Sequence, residues 1–417
     1  MSYFKPISIS LSPNVQKDDL KVALSLIIRP WLWKNGKHIK ILEDDFKKYL
    51  PVKYAFSFNS GRSAFYAILK SLELQEGSQV ALQAFTCNAL PNPILWANLQ
   101  PIYVDCDKED FNLSVSDLDA KMRPNTKAVV VQHTFGLPAN MDQIRAFCSK
   151  HDLILIEDCA HSLGAEFSGI KVGSHSKAAF FSFSRDKVIS SVYGGMAVTN
   201  DDTIAKNLER MQKEFGMPSG FWIFQQLLHP IVLHYVILPI YSFLDLGKIF
   251  LVLSQTLHIL SKAVSFKEKR GQKPDYFPKA LPNALAVMAR NQFNKLEILN
   301  KKRAQIAEYY FEQLKDTKFN LPKKFPERKN VYLRFSVTIE NAHQIIYDAW
   351  SKQNILIGDW YTSPIAPDDT KLGVMHYQSG SCQNAEELSK ITLNLPTHIN
   401  MKKNELDRII DFLKKNE

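Results

Sequence analysis

Short apolar runs punctuated by polar turns dominate the first two hundred positions. Tyr54–Phe58, Gln79–Ala84, Pro101–Asp105, Lys127–Gln132 and Leu153–Glu157 read as strands, and a further apolar run ends at Ser182, Phe183 and Ser184. Between them the apolar spacing changes to three and four. Residues 16–34 predict an amphipathic helix stopped near Pro30, 41–50 a second, and AFYAILKSLEL a third. Another carries Met141, Ile144 and Phe147 on one face. Strands alternating with helices predict an α/β fold with a mainly parallel central sheet covered on both faces. After residue 280 the pattern starts afresh. A long amphipathic helix is expected over 284–315, a strand over Arg334–Ile339, and helices over 343–353 and 403–414, which makes a smaller C-terminal α/β lobe.

Between these parts lies an uncharged stretch. Residues 221–244 contain no Asp, Glu, Lys or Arg, and Pro230 and Pro239 interrupt them. The first half is long enough to span a bilayer, but its prolines, Gln225, Gln226, His229 and His234 argue against a straight span. IFLVLSQTLHIL follows a turn at 245–248 and is too short to cross. We expect a helical hairpin or broken helix pair lying in one leaflet. Trp222 and Tyr241 would sit at the interface, with Lys262, Lys267, Lys269, Arg270 and Lys273 facing anionic headgroups. The competing reading is a helical insertion buried against a partner subunit. Trp31 and Trp33 leave the same choice between core and interface. The expected domains are 1–215, a large ligand-binding part; 216–270, the apolar insertion; and 271–417, the small lobe.

Composition narrows the class. A chain of 417 residues needs two or three lobes, and 45% hydrophobic with 23% charged residues belongs to a folded protein. The net charge of +10 allows nucleic acid, an anionic membrane or phosphorylated substrates as partners. No zinc-finger spacing or RNA-binding aromatic signature is present, so nucleic acid ranks last. Cys87, Cys106, Cys148, Cys159 and Cys382 are odd in number and form no CxxC pair, which points to a reducing cytoplasm. The start MSYFKPISIS lacks the basic-then-apolar pattern of a signal peptide. The expected location is cytoplasmic, peripheral on the cytoplasmic face of a membrane if the insertion docks there.

In parallel sheets ligands gather where strands end at their carboxyl side. Phe85, His133, Asp158 and Lys187 all stand at such ends. A lysine delivered there, if desolvated, can form a Schiff base; otherwise it is a surface lysine. Asp158 after an apolar strand needs a cation or several hydrogen bonds, and its plainer role is a helix N-cap. His161 lies on the same side if a helical turn follows, or is a satisfied core histidine. Asn59–Ser63 offers a glycine turn before a helix, with Gly61, Arg62 and Ser63 at the helix start. Such a start suits a phosphate, or is an ordinary cap.

These motifs resemble the pyridoxal-phosphate-dependent sugar aminotransferases of the DegT/StrS type. The likeness runs through GKHIKILEDDFKKYL, FNSGRSAFYAIL, HTFGLPANMDQI and CQNAEELSKITLNLPTHINM. It is densest in IEDCAHSLGAEFSGIKVGSHSKAAFFSFSRDKVISSVYGGMAVTND. The resemblance implies the aspartate-aminotransferase-like fold, usually as a homodimer with the sites at the subunit boundary. It makes Lys187 the Schiff-base lysine, Asp158 the partner of the pyridine nitrogen and His161 the contact to the ring hydroxyl. Phe85 becomes the stacking aromatic, with Ser182, Arg62 and Ser63 holding the cofactor phosphate beside Gly61. The implied reaction moves nitrogen from an amino donor, such as glutamate, to a keto sugar, nucleotide- or lipid-linked, for cell-surface polysaccharide or glycoconjugates. Alternatives are a pyridoxal-phosphate reaction on a lipid-like ketone, or a non-catalytic scaffold or regulator. The chain departs from the family at Ser184 and Arg62, where His and Thr are frequent. It also lacks the Gly-Tyr-Asn-Tyr-Arg-like segment that reaches the partner's site, having GQKPDYFPKALPNALAVMARNQF instead. Trp360 and Tyr361 fall where the family shapes the substrate entrance, or belong to the lobe core.

Overall fold

The computed structural model describes residues 4–417, so the expectation about residues 1–10 falls partly outside the described residues. Seven strands make the central sheet: β1 (Tyr54–Phe58), β2 (Gln79–Gln83), β3 (Gln100–Val104), β4 (Thr126–Gln132), β5 (Ile154–Asp158), β6 (Ala178–Ser182) and β7 (Gly195–Thr199). Their spatial order is β1-β7-β6-β5-β4-β2-β3. Only β7 runs against its neighbours β1 and β6; the other pairs are parallel. The mainly parallel sheet expected from the sequence is therefore present. Adjacent side chains of β6 show how both faces are used. Phe180 stacks on Phe65 at 4.6 Å on one face, and Phe181 meets Phe46 edge-on at 5.6 Å on the other.

The helices that matter for the site are α1 (Lys17–Ile27), α2 (His38–Tyr49), α3 (Gly61–Ser71), α4 (Met141–Lys150), α5 (Asp202–Phe215), α6 (Gly220–Val232), α7 (Leu246–Thr256), α8 (Asn283–Phe293), α9 (Leu296–Leu314), α10 (Ala342–Gln353) and α11 (Lys403–Lys414). The single helix expected over 284–315 is two. α8 buries Ala284, Leu285 and Met288 in the larger lobe, while α9 buries Ile306, Tyr310 and Leu314 in the smaller one. The chain turns between lobes at Lys295, whose φ of −105° and ψ of 4° leave the helical region.

The small lobe pairs Phe335–Thr338 antiparallel with Thr392–Leu395, under α9, α10 and α11. It also takes in the N-terminal end, because Ile7–Ser8 pairs with Ile355–Leu356. Ile365–Ala366 reaches back and pairs with Thr86–Cys87 beside the sheet. The lobes are therefore interleaved in sequence, and α8 packs with the larger lobe although the small one was expected to begin at 271.

The insertion is a hairpin. Pro230 does not break it: α6 runs on into a π-helical turn at Leu233–Ile237 and a 3-10 turn at Leu238–Ile240, then the chain reverses into α7. α6 lies on α1 and α8, burying Trp222, Ile223, Leu227 and His229. Trp33 stacks on Phe224 at 6.1 Å, whereas Trp31 stays 72% exposed, so the two tryptophans divide between core and surface. All five cysteines are free thiols.

Candidate active site

The carboxyl ends of β5 and β6 and the start of α3 converge on a cavity of about 500 Å³. That size suits a small molecule with most of its surface buried. Lys187 enters from the loop after β6, and Asp158 ends β5; both line the cavity. Burial is the main influence on each. It pulls the Lys187 ammonium below its ordinary range. It pushes Asp158 up to about 6, against the lowering effect of the Ala160 N–H and the Lys187 charge. Asp158 is not a helix N-cap. Its Oδ1 accepts from the Ala160 amide at 2.9 Å in a turn, and no helical turn follows.

His161 nevertheless faces the same space. Its ring stacks on Trp360 at 4.9 Å, Nδ1 accepts from the Phe135 amide at 3.4 Å, and Nε2 lies 3.5 Å from the Tyr361 hydroxyl. Burial and the cations Lys187 and Arg334 hold it well below its ordinary value, so the ring is neutral at pH 7. Trp360 forms the opposite wall, with Lys187 Nζ 4.2 Å from its ring centroid. The Arg334 guanidinium lies on the Trp360 ring at 3.3 Å and bonds Asp186 at 3.1 Å. That pair ties the small lobe to the loop carrying Lys187.

At the start of α3, Ser60, Gly61 and Arg62 line the cavity opposite Ser182 and Ser184. Ser60 caps the helix by accepting from the Ser63 amide at 3.0 Å. A side chain on Gly61 would meet Ser182 Cβ at 3.0 Å, and one on Gly195 would meet the Gly61 nitrogen at 2.5 Å. Both glycines therefore let the start of α3 pack directly on the ends of β6 and β7.

Two expected residues sit elsewhere. Ser63 does not line the cavity; its hydroxyl donates to Asn59 Oδ1 at 2.7 Å, and Ser60 takes the cavity-facing place. Phe85 does not line it either. Its backbone φ is +64° and its ring packs with Phe111, Phe135 and Tyr361, while the aromatics that line the cavity are Phe180, Tyr193, Trp360 and Tyr361. His133 is a structural residue, bonded to Glu157 at 3.1 Å and accepting from the Ala139 amide, both buried. Its neighbour Cys159 completes a cluster of metal-ligand type, but Glu157 is already taken by Gly173, His175 and Ser176.

The roof of the cavity has no counterpart among the residues expected from the sequence. Beyond α7 the segment 261–273 crosses the cavity, with Ala263 and Val264 in its lining. Arg185 donates to the Ser261 carbonyl at 2.6 Å, the Tyr193 hydroxyl donates to the Lys262 carbonyl, and Trp96 Nε1 donates to the Gly271 carbonyl at 2.9 Å. Arg62 forms an ion pair with Glu268, which is fully buried. The clustered cations are partly engaged: Lys269 pairs with Asp369 at 2.6 Å, and Arg270 lies on the Phe266 ring. The available signal was Glu268 itself, a lone acid among Lys267, Lys269 and Arg270.

Comparison with known proteins is consistent with this geometry. The model of the DegT/DnrJ/EryC1/StrS aminotransferase family matches residues 13–227 and 267–414, leaving out the hairpin between. GDP-perosamine synthase of Vibrio cholerae is 32% identical over 212 residues, 50% of this chain and 58% of that protein. In that alignment the chain thus spans little more than half the relative's length. UDP-N-acetyl-3-dehydro-alpha-D-glucosamine 3-aminotransferase of Acidithiobacillus ferrooxidans is 25% identical over 400 residues, 96% of this chain and 94% of that one. An aminotransferase of Helicobacter pylori involved in the biosynthesis of pseudoaminic acid superposes with a TM-score of 0.76 at 20% identity, covering 99% of both chains. The fold is shared, the family model spans most of the sequence, and the chain belongs to the DegT/DnrJ/EryC1/StrS aminotransferase family.

Proposed function

We infer that the protein is a pyridoxal-phosphate-dependent aminotransferase. It moves an amino group from an amino acid, such as glutamate, to a keto sugar carried by a nucleotide or a lipid, for surface polysaccharide or glycoconjugate synthesis. One observation carries the reading: a half-buried lysine and a buried acid share a cavity with the start of a helix. The GDP- and UDP-linked sugars in the names of the relatives support a sugar acceptor.

The residues fit the cofactor. Asp158 is a desolvated carboxylate in want of a cation, which a protonated pyridine nitrogen is. The amides of Gly61 and Arg62 and the hydroxyl of Ser182 suit a phosphate. Arg62, already paired with Glu268, adds less charge there than a free arginine. When bound, pyridoxal phosphate supplies a ring that accepts the electrons left as the amino-bearing carbon loses its proton. Lys187, with its depressed pKa, is the group that takes that proton and returns it. Asp158 keeps the ring nitrogen protonated. Neutral His161 offers a hydrogen bond to the ring hydroxyl, and Trp360, Tyr361 and segment 261–273 exclude water. In the first half of a ping-pong cycle glutamate leaves as 2-oxoglutarate. Incubation of the cofactor-loaded protein with glutamate alone is expected to release about one equivalent of 2-oxoglutarate per chain. No release would contradict the reading.

Attachment to a membrane through the hairpin belongs to the same proposal. The 21 residues Gly220–Ile240 are apolar and long enough to cross, yet nearly half are buried against the fold, so they support surface contact rather than a span. α7 turns its small residues Gly247 and Ser254 inward and leaves Leu246, Ile249, Phe250, Val252 and Leu253 exposed. A helix meant for water has the reverse arrangement. Co-sedimentation with phosphatidylglycerol-containing vesicles is expected for the wild type and lost in Val252→Glu/Leu253→Glu. Equal recovery of the two in the supernatant would contradict it. A homodimer, as the family resemblance implies, is expected to sediment at twice the chain mass; a monomer at working concentration would contradict that part.

A further inference from the structure

Residues 184–187 form one turn, closed by the Lys187 amide on the Ser184 carbonyl at 3.2 Å. The two residues at its corners, Arg185 and Asp186, are held by different parts of the chain. Asp186 pairs with Arg334 of the small lobe at 3.1 Å. Arg185 is held by the insertion. One of its Nη atoms donates to the Ser261 carbonyl at 2.6 Å and to the Ser261 hydroxyl oxygen at 2.7 Å. That hydroxyl donates in turn to Gln226 Oε1 at 2.7 Å, and Gln226 Nε2 donates to the Trp222 carbonyl at 2.9 Å. Gln226 is fully buried, and Arg185 is 8% exposed. A line of hydrogen bonds therefore runs from α6, through Ser261, to the second residue before Lys187.

A buried guanidinium is costly unless its donors are met. Here a carbonyl and a hydroxyl meet it, and Gln226 orients the hydroxyl. The guanidinium also lies over the Tyr193 ring, 5.6 Å from its centroid. Ser261 falls in the stretch 228–266 that the family model leaves out, so the link belongs to the insertion.

We propose that Arg185 and Ser261 are positioning residues for Lys187, and that through them the insertion holds the turn from which the lysine enters the cavity. This rests on the aminotransferase reading and gives the insertion a share in the site besides surface contact. With the link intact, burial keeps the Lys187 amine below its ordinary range. With the link cut, Asp186 is the one corner still held, water reaches the lysine, and the amine rises toward its ordinary value. Asp158, Asp186, Cys87 and Arg334 are the titratable groups that face this amine, and the substitutions below alter none of them.

Arg185→Met removes both bonds to Ser261, Ser261→Ala removes the hydroxyl's bonds alone, and Ser261→Thr keeps the hydroxyl. Two measurements on the whole chain test the link. One is amide hydrogen exchange of the peptide spanning 184–191 in the cofactor-free protein. The other is the rate of pyridoxal phosphate uptake against pH, which depends on the neutral Lys187 amine. Exchange is expected to be about fivefold or more faster in Arg185→Met, and faster than wild type in Ser261→Ala. The double variant should exchange no faster than Arg185→Met, because the two residues act through one contact. The acid limb of uptake should move up by about half a pH unit or more in Arg185→Met, a shift that a change in overall stability alone does not produce. Ser261→Thr should match the wild type in both measurements. Wild-type exchange in Arg185→Met overturns the proposal. So does an uptake limb that stays in place, an additive double variant, or a Ser261→Thr protein that behaves like Ser261→Ala. Failure of the wild type to take up pyridoxal phosphate would instead defeat the aminotransferase reading, and the exchange rates alone would then decide whether the insertion holds the turn.

Discussion

Asn14 donates a hydrogen bond of 2.7 Å from its side-chain amide to the main-chain carbonyl of Lys187. Arg303 backs this contact, donating to Asn14 Oδ1 at 3.1 Å and to the Val188 carbonyl at 2.8 Å. Arg303 is 1% exposed, and burial draws its guanidinium down to about 9. A cation in that position is held by oriented carbonyl dipoles of Asn14, Asn300 and Val188. The small lobe, through α9, therefore grips the loop that aims the lysine.

Removing that grip has a definite cost. Asn14→Ala leaves the Lys187 carbonyl and a buried arginine each short of a partner, about 1–3 kcal/mol per unsatisfied group. Urea unfolding is expected to show a loss of about 2 kcal/mol or more, and the variant should release pyridoxal phosphate faster on gel filtration. Unchanged stability together with unchanged release would mean that Asn14 does not position the lysine.

Asp158 sets a pH dependence. Burial raises it from 3.8 to about 6 in the folded chain without ligand, so the fold prefers its protonated form. The contribution is fully stabilising below the unfolded value of 3.8. It is lost as pH rises through about 6, a change of about 3 kcal/mol by pH 7. Asp158→Asn removes the titration. Cofactor-free wild type is therefore expected to lose more stability than Asp158→Asn between about pH 4 and pH 7. Parallel pH profiles in thermal unfolding would refute the assignment.

The roof makes its own prediction. Glu268 and Arg62 are a buried pair, and removing one partner of such a pair costs about 3–5 kcal/mol locally. Glu268→Ala should free segment 261–273 and speed tryptic cleavage at Lys262 and Lys267, with the core fragments otherwise intact. A digestion rate equal to that of the wild type would show that the remaining contacts at Arg185, Tyr193 and Trp96 suffice.

Local pattern revealed much of the fold, because strands such as Tyr54–Phe58 are apolar runs bounded by turn residues. Lys187 and Asp158 were legible for a related reason: strand ends in a parallel sheet face one side; His161, expected there only if a helical turn followed, reaches the cavity through a non-helical turn. Facing direction within a loop was not legible. Phe85 has a positive φ and its ring packs outside the cavity lining, and no neighbour in sequence announces it. The break at Lys295 was hidden because the apolar spacing of α8 continues into α9 while their burial partners change. Long-range pairing was also invisible, as with Arg62 and Glu268, which come from opposite ends of the larger lobe's sequence. The basic cluster read as a headgroup contact is in part the roof of the site.

The measurement that tests the central claim most directly is borohydride reduction of the protein mixed with pyridoxal phosphate, followed by mass analysis of its peptides. The wild type is expected to carry the reduced cofactor on the peptide containing Lys187, and Lys187→Ala to carry none. Modification centred on another lysine, or equal labelling of the two proteins, would contradict it.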